Sequence, residues 1–290
     1  MTDEGYSEFD CDLCGSSEAE PLTVLQDYLN AEEQVHVCKN CGFVYVRRRR
    51  SIERIAQAWS KEIFQKGYTA RIPAVKARQT YVADFIDTTI GLKGKTLCDI
   101  GGGEGQFLEI VKSAEYGAEV FAIEPAPQNC QMMTDAGIAN YHGTIEQYIA
   151  SKESRKFDVV TIMWTLENTQ DCRGMLNAAY ELLKDDGHLM IATGSRILVP
   201  FKKRLYDYFT KNPVDTHCFR FSANCLQGLM AVTGIKMVEV NRYIDTDYLT
   251  MIGQKTDRSQ EIDWQGDSWE KIVGFFGRWD QETRDHYPQD

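Results

Sequence analysis

The chain has 290 residues, enough for one large domain with a small appendage, and 43% hydrophobic and 11% aromatic content is ordinary for a globular protein. A net charge of −11 and a pI near 5.0 weigh against a general nucleic-acid binder, which carries a basic balance. No apolar run approaches 18 residues, and the acidic start Met1-Thr2-Asp3-Glu4 has neither signal- nor transit-peptide features, so a cytoplasmic location is expected. Nine cysteines in a reducing compartment then read as metal ligands, reactive thiols or small core residues, not as disulfides.

Residues 1–46 carry the clearest local signature. Cys11-Asp12-Leu13-Cys14-Gly15 is matched by Cys38-Lys39-Asn40-Cys41-Gly42, with 23 residues between the pairs. Each C-x-x-C-G makes a tight knuckle that turns two thiolates toward one centre, and the spacing between knuckles suits a short β-hairpin. Four thiolates in tetrahedral arrangement predict a closed structural zinc site at Cys11, Cys14, Cys38 and Cys41, with no position left for a reactive water. A redox pair is disfavoured, since two such motifs occur and neither opens a helix after a long apolar strand.

Residues 47–93 read as a helical cap in two pieces, broken near Gly67 to Pro73. Ile52, Ile55, Trp59 and Ile63, and then Val75, Tyr81, Phe85 and Ile86, recur at helical steps. The run Arg47–Arg50 is expected to be a solvated face, although it could serve an anionic group, as could Arg196 with Lys202, Lys203 and Arg204. From residue 94, apolar strands alternate with amphipathic helices. Strands are expected at Thr96–Ile100, Glu119–Ile123, Ala139–His142, Phe157–Met163 and His188–Thr193, with helices between them, the one before His188 running Cys172–Lys184. This alternation implies a doubly wound parallel α/β sheet. Lys236–Tyr243 and Tyr248–Gln254 read as a closing antiparallel hairpin, and a helix is expected near Ser268–Thr283.

The first core strand ends in Asp99-Ile100-Gly101-Gly102-Gly103-Glu104-Gly105. The dinucleotide fingerprint G-x-G-x-x-G fails in both registers, because its third place falls on Gln106 or Leu108. What fits is D-x-G-x-G-x-G, built on Asp99, Gly101, Gly103 and Gly105. That pattern resembles motif I of the class I S-adenosylmethionine (SAM) methyltransferases. The resemblance implies a Rossmann-like seven-stranded sheet and SAM as methyl donor, beside the small N-terminal zinc ribbon read from the cysteine pairs. The loop 101–105 then approaches the methionine part of SAM, and Asp99 faces its ammonium. Glu124, 25 residues beyond Asp99 and followed by Pro125, stands where an acid accepts from the ribose hydroxyls. Thr144 and Ile145 occupy the adenine turn, and Trp164 lies beside the sulfonium, where an aromatic face favours a cation. Tyr68 is a further candidate for the methionine end.

The acceptor side is read from 196–222, basic and aromatic, with Val214-Asp215-Thr216-His217-Cys218-Phe219-Arg220-Phe221-Ser222 at its end. A similar acid, histidine and aromatic segment enters the substrate pocket of zinc-ribbon methyltransferases of sugar and natural-product pathways. His217 is the candidate general base, with Asp215 orienting it. The expected organisation is a zinc ribbon at 1–46, a helical cap at 47–93, a methyltransferase core at 94–255 and a helical tail at 256–290. The expected reaction is methylation of a hydroxyl on a carbohydrate, either a nucleotide-linked sugar or a polysaccharide unit, with an anionic or phosphate-bearing acceptor. A sugar C-methyltransferase and an RNA methyltransferase that uses the ribbon and Arg47–Arg50 are the alternatives.

Overall fold

The computed structural model describes residues 5–26, 28–29, 34–63, 69–153, 155–201, 203–210, 217–241 and 248–286. The chain opens with β1 (Tyr6–Glu8), β2 (Ala19–Pro21), β3 (Val35–Cys38), β4 (Val44–Val46) and β5 (Arg48–Arg50). β2, β3 and β4 form an antiparallel meander, and β1 pairs with β5. Then α1 (Ile52–Gln57), capped by Ser51 Oγ accepting from Arg54 N–H, widens into a π-helical turn at Ala58–Ile63. α2 (Pro73–Ile90) starts on a proline, where the missing N–H costs nothing, and ends at Gly91. It buries Val82, Ala83 and Ile86 on the core face.

The core elements follow in strict alternation: β6 (Thr96–Ile100), α3 (Gln106–Lys112), β7 (Glu119–Glu124), α4 (Pro127–Asp135), β8 (Ala139–His142), α5 (Ile145–Ala150), β9 (Phe157–Met163), α6 (Cys172–Leu182) and β10 (Leu183–Thr193). After them come α7 (Leu205–Thr210), β11 (Phe219–Arg220), α8 (Ala223–Val232), β12 (Ile235–Val240), β13 (Leu249–Lys255) and α9 (Trp269–His286). One sheet of seven strands runs β12-β13-β10-β9-β6-β7-β8, parallel except for β13, which is antiparallel to both neighbours. Leu97, Cys98, Val159, Val160, Leu189 and Ile191 are fully buried because helices cover both faces. Strand order reverses at β6, between β7 and β9, so ligands are expected beyond the carboxyl ends of these strands. The doubly wound sheet and its terminal hairpin are as expected. β10, however, begins at Leu183 and not at His188, because Leu183 already pairs with Phe157 across a register break; α6 stops correspondingly early.

Two findings depart from the sequence reading. The run Arg47–Arg50 is not a solvated face: residues 48–50 form β5, and the Arg49 side chain is 0% exposed. Arg49 is held by a two-pronged ion pair with Asp12, at 2.9 and 2.6 Å, which offsets the cost of burying its charge. Breaking such a buried pair on one side costs about 3–5 kcal/mol. The segment after β10, expected to serve the acceptor, also builds the N-terminal sheet. β11 adds to the N-terminal meander through Phe219↔Tyr45 and Arg220↔Val44, giving a four-stranded sheet β11-β4-β3-β2. α9 then packs Ile272, Phe275, Phe276 and Trp279 against Leu25, Val35, Val37 and Val44, with Ile197, Leu205 and Phe209 closing the same cluster. No helix among the described residues is long and apolar enough to cross a membrane.

Candidate functional site

A cavity of about 410 Å³ opens where the strand order reverses, within the size range of small-molecule sites. Its floor is the turn after β6. Gly101 has φ +78°, and a Cβ there would sit 2.5 Å from Thr165 Oγ1, so the turn needs glycine for conformation and for packing. Gly103 has φ +54° and nothing within 4 Å of an added Cβ, because it borders the open cavity. Gly102 and Gly105 complete the turn, and Gly105 opens α3.

Two buried acids face this floor. Asp99, 2% exposed, accepts a 2.6 Å hydrogen bond from Thr161 Oγ1. Burial pushes its carboxyl up to about 7; the Thr161 bond offsets part of this, and the neighbouring Glu124 charge adds to it. Glu124 ends β7, just before Pro125. Its Oε2 accepts Gly103 N–H at 2.9 Å, and its Oε1 accepts Ala126 N–H at 2.8 Å and Asn129 Nδ2 at 3.3 Å. Burial raises the Glu124 carboxyl despite these donors. Thr144 caps α5: its hydroxyl accepts Gln147 N–H while its own amide donates to Gln147 Oε1, and Ile145 is buried beside it. Both residues line the cavity with Gly143 and Glu146.

The opposite wall comes from the turns after β9 and β10. Trp164 has φ +52°, an uncommon conformation for a bulky residue, held by Trp164 N–H donating to Ala192 O and by Asn168 Nδ2 donating to Trp164 O. Its ring meets Tyr248 edge-on at 6.1 Å. Glu167 is 1% exposed; Oε1 accepts Gly194 N–H at 3.0 Å, and Oε2 has no hydrogen-bond partner among the described residues. His217 lines the same cavity, with Nδ1 2.7 Å from Ser195 Oγ in a hydrogen bond that fixes the ring. Ile52, Ile55, Ala56 and Trp59 from α1 and the turn after it form an apolar roof. The segment just before α2 is tied to the floor, since Glu104 Oε2 accepts from Thr69 Oγ1 and from Ala70 N–H, each at 3.0 Å. Tyr68 and Asp215 lie outside the described residues.

The methyltransferase-domain family model matches residues 75–240, more than half of the chain. The chain belongs to the class I SAM-dependent methyltransferases. Among curated relatives it is similar to a ubiquinone biosynthesis O-methyltransferase of Cupriavidus pinatubonensis, 32% identical over 119 residues covering 39% of this chain and 47% of that protein. A second, of Ralstonia nicotianae, is 32% identical over 115 residues, covering 38% of this chain and 48% of that protein. The chain thus spans about half the length of these relatives. Among solved structures, the fold is similar to magnesium protoporphyrin IX methyltransferase of Synechocystis PCC 6803 with bound S-adenosylhomocysteine, at TM-score 0.54 and 12% identity over 71% of this chain and 100% of that one. It is also similar to 1,6-didemethyltoxoflavin-N1-methyltransferase of Burkholderia thailandensis, at TM-score 0.53 and 14% identity over 83% of this chain and 100% of that one.

Outside the matched stretch, the N-terminal segment holds a cysteine cluster. Cys11, Cys14, Cys38 and Cys41 bring four Sγ atoms within 4.8 Å of one another, with Cys11–Cys41 and Cys14–Cys38 each at 3.5 Å. A tetrahedral ion with bonds of about 2.3 Å sets its sulfurs roughly 3.8 Å apart, so the donor set and spacing fit zinc. The other five cysteines, Cys98, Cys130, Cys172, Cys218 and Cys225, are single buried residues.

Proposed function

We propose that this methyltransferase moves a methyl group from SAM to a hydroxyl of a small acceptor held between the apolar roof and His217. The observation that carries the reading is that His217, fixed through Ser195, shares one cavity with Asp99, Gly103 and Glu124. SAM supplies an electrophilic methyl on a cationic sulfur. Asp99 pairs with its ammonium, and the amides of the 101–105 turn and the start of α3 face its carboxylate. Glu124 already takes three donors, which leaves one acceptor position for a ribose hydroxyl rather than two. Thr144 and Ile145 border the adenine, and Trp164 gives an aromatic face to the sulfonium. As the acceptor oxygen would take the methyl in line, the methyl–sulfur bond would break to leave a neutral thioether, and the acceptor proton would pass to His217 Nε2. Positioning supplies much of the acceleration, and proton removal adds to it.

The finer reading of the acceptor is a carbohydrate, such as a nucleotide-linked sugar, with Arg196, next to Ser195 in the chain, as the cation for an anionic group. A hydroxylated aromatic ring is the second reading; it is favoured by the roof of Ile52, Ile55 and Trp59 and by the O-methyltransferase names of the relatives. A label-transfer assay with methyl-labelled SAM discriminates them. Label on nucleotide-linked sugars supports the first, label on catechol-type rings the second, and label on RNA alone removes both.

A pH dependence follows from Asp99. With its carboxyl pushed up to about 7 by burial, Asp99 is charged above neutrality and protonated below. The cationic donor favours the charged form, so SAM affinity should rise with pH through 7 and fall by up to about tenfold per unit below it. For folding itself the sign is opposite: the raised carboxyl contributes stability at low pH that is lost as pH rises toward 7. Calorimetric titrations with SAM at about pH 6 and 8 check this; equal affinities contradict the pairing.

The four ribbon thiolates are proposed to hold one structural zinc. Metal analysis should find about one zinc per chain, and Cys38→Ser should lose it.

A further inference from the structure

We infer that Arg49 is a positioning residue that ties the four-cysteine ribbon to the acceptor wall of the cavity, leaving the donor half independent. The inference rests on the reading of His217 as the acceptor end. Asp12 lies inside the first knuckle, between Cys11 and Cys14, and grips Arg49 with both carboxylate oxygens. Arg49 passes the contact on in three directions. Its Nε donates to Val46 O at 2.6 Å, which fixes β4. Its Nη1 donates to Gln170 O at 2.7 Å, and Gln170 Nε2 returns a 2.8 Å bond to Arg50 O. Gln170 borders the cavity in the same turn as Trp164 and Glu167. Finally, the guanidinium lies over the rings of Phe219, at 4.5 Å, and Phe9, at 4.6 Å.

Phe219 is two residues beyond His217, and the backbone between them is clamped from both sides. Val46 N–H donates to Cys218 O at 2.8 Å from the ribbon side. Cys218 N–H donates to Glu167 O at 2.7 Å from the core side. His217 therefore stands at a seam whose two halves meet on one guanidinium. None of these bonds reaches the 101–105 turn, Asp99 or Glu124, whose partners include Ile123, Thr161, Ala126 and Asn129. A planar, five-donor fork is needed here; an ammonium cannot hold Asp12, Val46 and Gln170 while stacking on Phe219.

The test is hydrogen–deuterium exchange of the full chain, read by mass spectrometry together with SAM calorimetry and metal content. Arg49→Lys keeps the charge and should speed exchange about tenfold or more in peptides covering 165–171 and 217–222. Peptides covering 97–105 and 119–126 should be unchanged, SAM affinity should stay within about twofold, and zinc should be retained. If Arg49→Lys does not fold, Gln170→Met removes only the returning bond and should loosen 165–171 in the same pattern, to a smaller degree. Unchanged exchange in 165–171 and 217–222 would overturn the inference. So would equal loosening of the donor segments, which is what a merely structural role produces. No acceptor is needed, so its failure is separate from failure of the proposed hydroxyl chemistry.

Discussion

Gly103→Arg abolishes SAM binding while leaving the protein folded. An added Cβ at Gly103 meets no protein atom within 4 Å, and Gly103 borders the cavity, so the new side chain is expected to extend over the cavity floor and not into the core. Two separate losses then combine. The guanidinium occupies the space assigned to the methionine end, and its positive charge beside Asp99 and Glu124 takes the place of the SAM ammonium. The Gly103 amide, which donates to Glu124 Oε2, is also strained at φ +54° with a side chain attached. A loss of at least about 100-fold in affinity, equivalent to roughly 2.7 kcal/mol, is expected by calorimetry. The thermal midpoint should move by no more than about 5 °C. Retained SAM binding would mean that the donor lies elsewhere. By contrast, Gly101→Ala collides with Thr165 and should lower stability as well as binding, so the pair separates cavity filling from packing damage.

His217→Ala lowers methyl transfer by about 10²- to 10⁴-fold with SAM affinity kept. The imidazole shares the cavity with Asp99 and Glu124, but its described bond runs to Ser195 and not to the donor turn. Its loss should therefore appear in kcat with whichever acceptor the label-transfer assay identifies. Ser195→Ala, which frees the ring at Nδ1, should give a smaller loss of the same kind. Activity unchanged in His217→Ala would assign proton removal to another group; Glu167, with its unsatisfied Oε2, is the first to test, by Glu167→Gln.

The proposed donor half of the site can be read from the sequence because it is local. Asp99, the 101–105 turn and Glu124 each lie at or just past the end of an apolar strand, so a linear pattern places them at one sheet edge. The cluster of Cys11, Cys14, Cys38 and Cys41 is legible for a similar reason, since each pair needs only its own knuckle. The acceptor half is not local. Arg49 reads as part of a charge run until Asp12, 37 positions earlier, is seen to neutralise it. The pairing of β11 with β4 joins Phe219 to Tyr45, and two residues of strand carry no pattern strong enough to announce it. Glu167 is equally quiet. It is a single acid just past the end of β9, and only the fold shows it buried and half-satisfied against the cavity. Ser195, in the short turn after β10, gives no sign that it holds His217. Side chains matched through space, at separations of 22 to 121 residues, leave no periodic trace in the sequence.

The most direct measurement is a crystal structure of the chain soaked with S-adenosylhomocysteine. Density should run from Asp99 and Gly103 to Thr144, with a ribose hydroxyl on Glu124 and the sulfur turned toward Trp164 and His217. Density for the ligand in any other place, or a sulfur turned away from His217, would contradict the account.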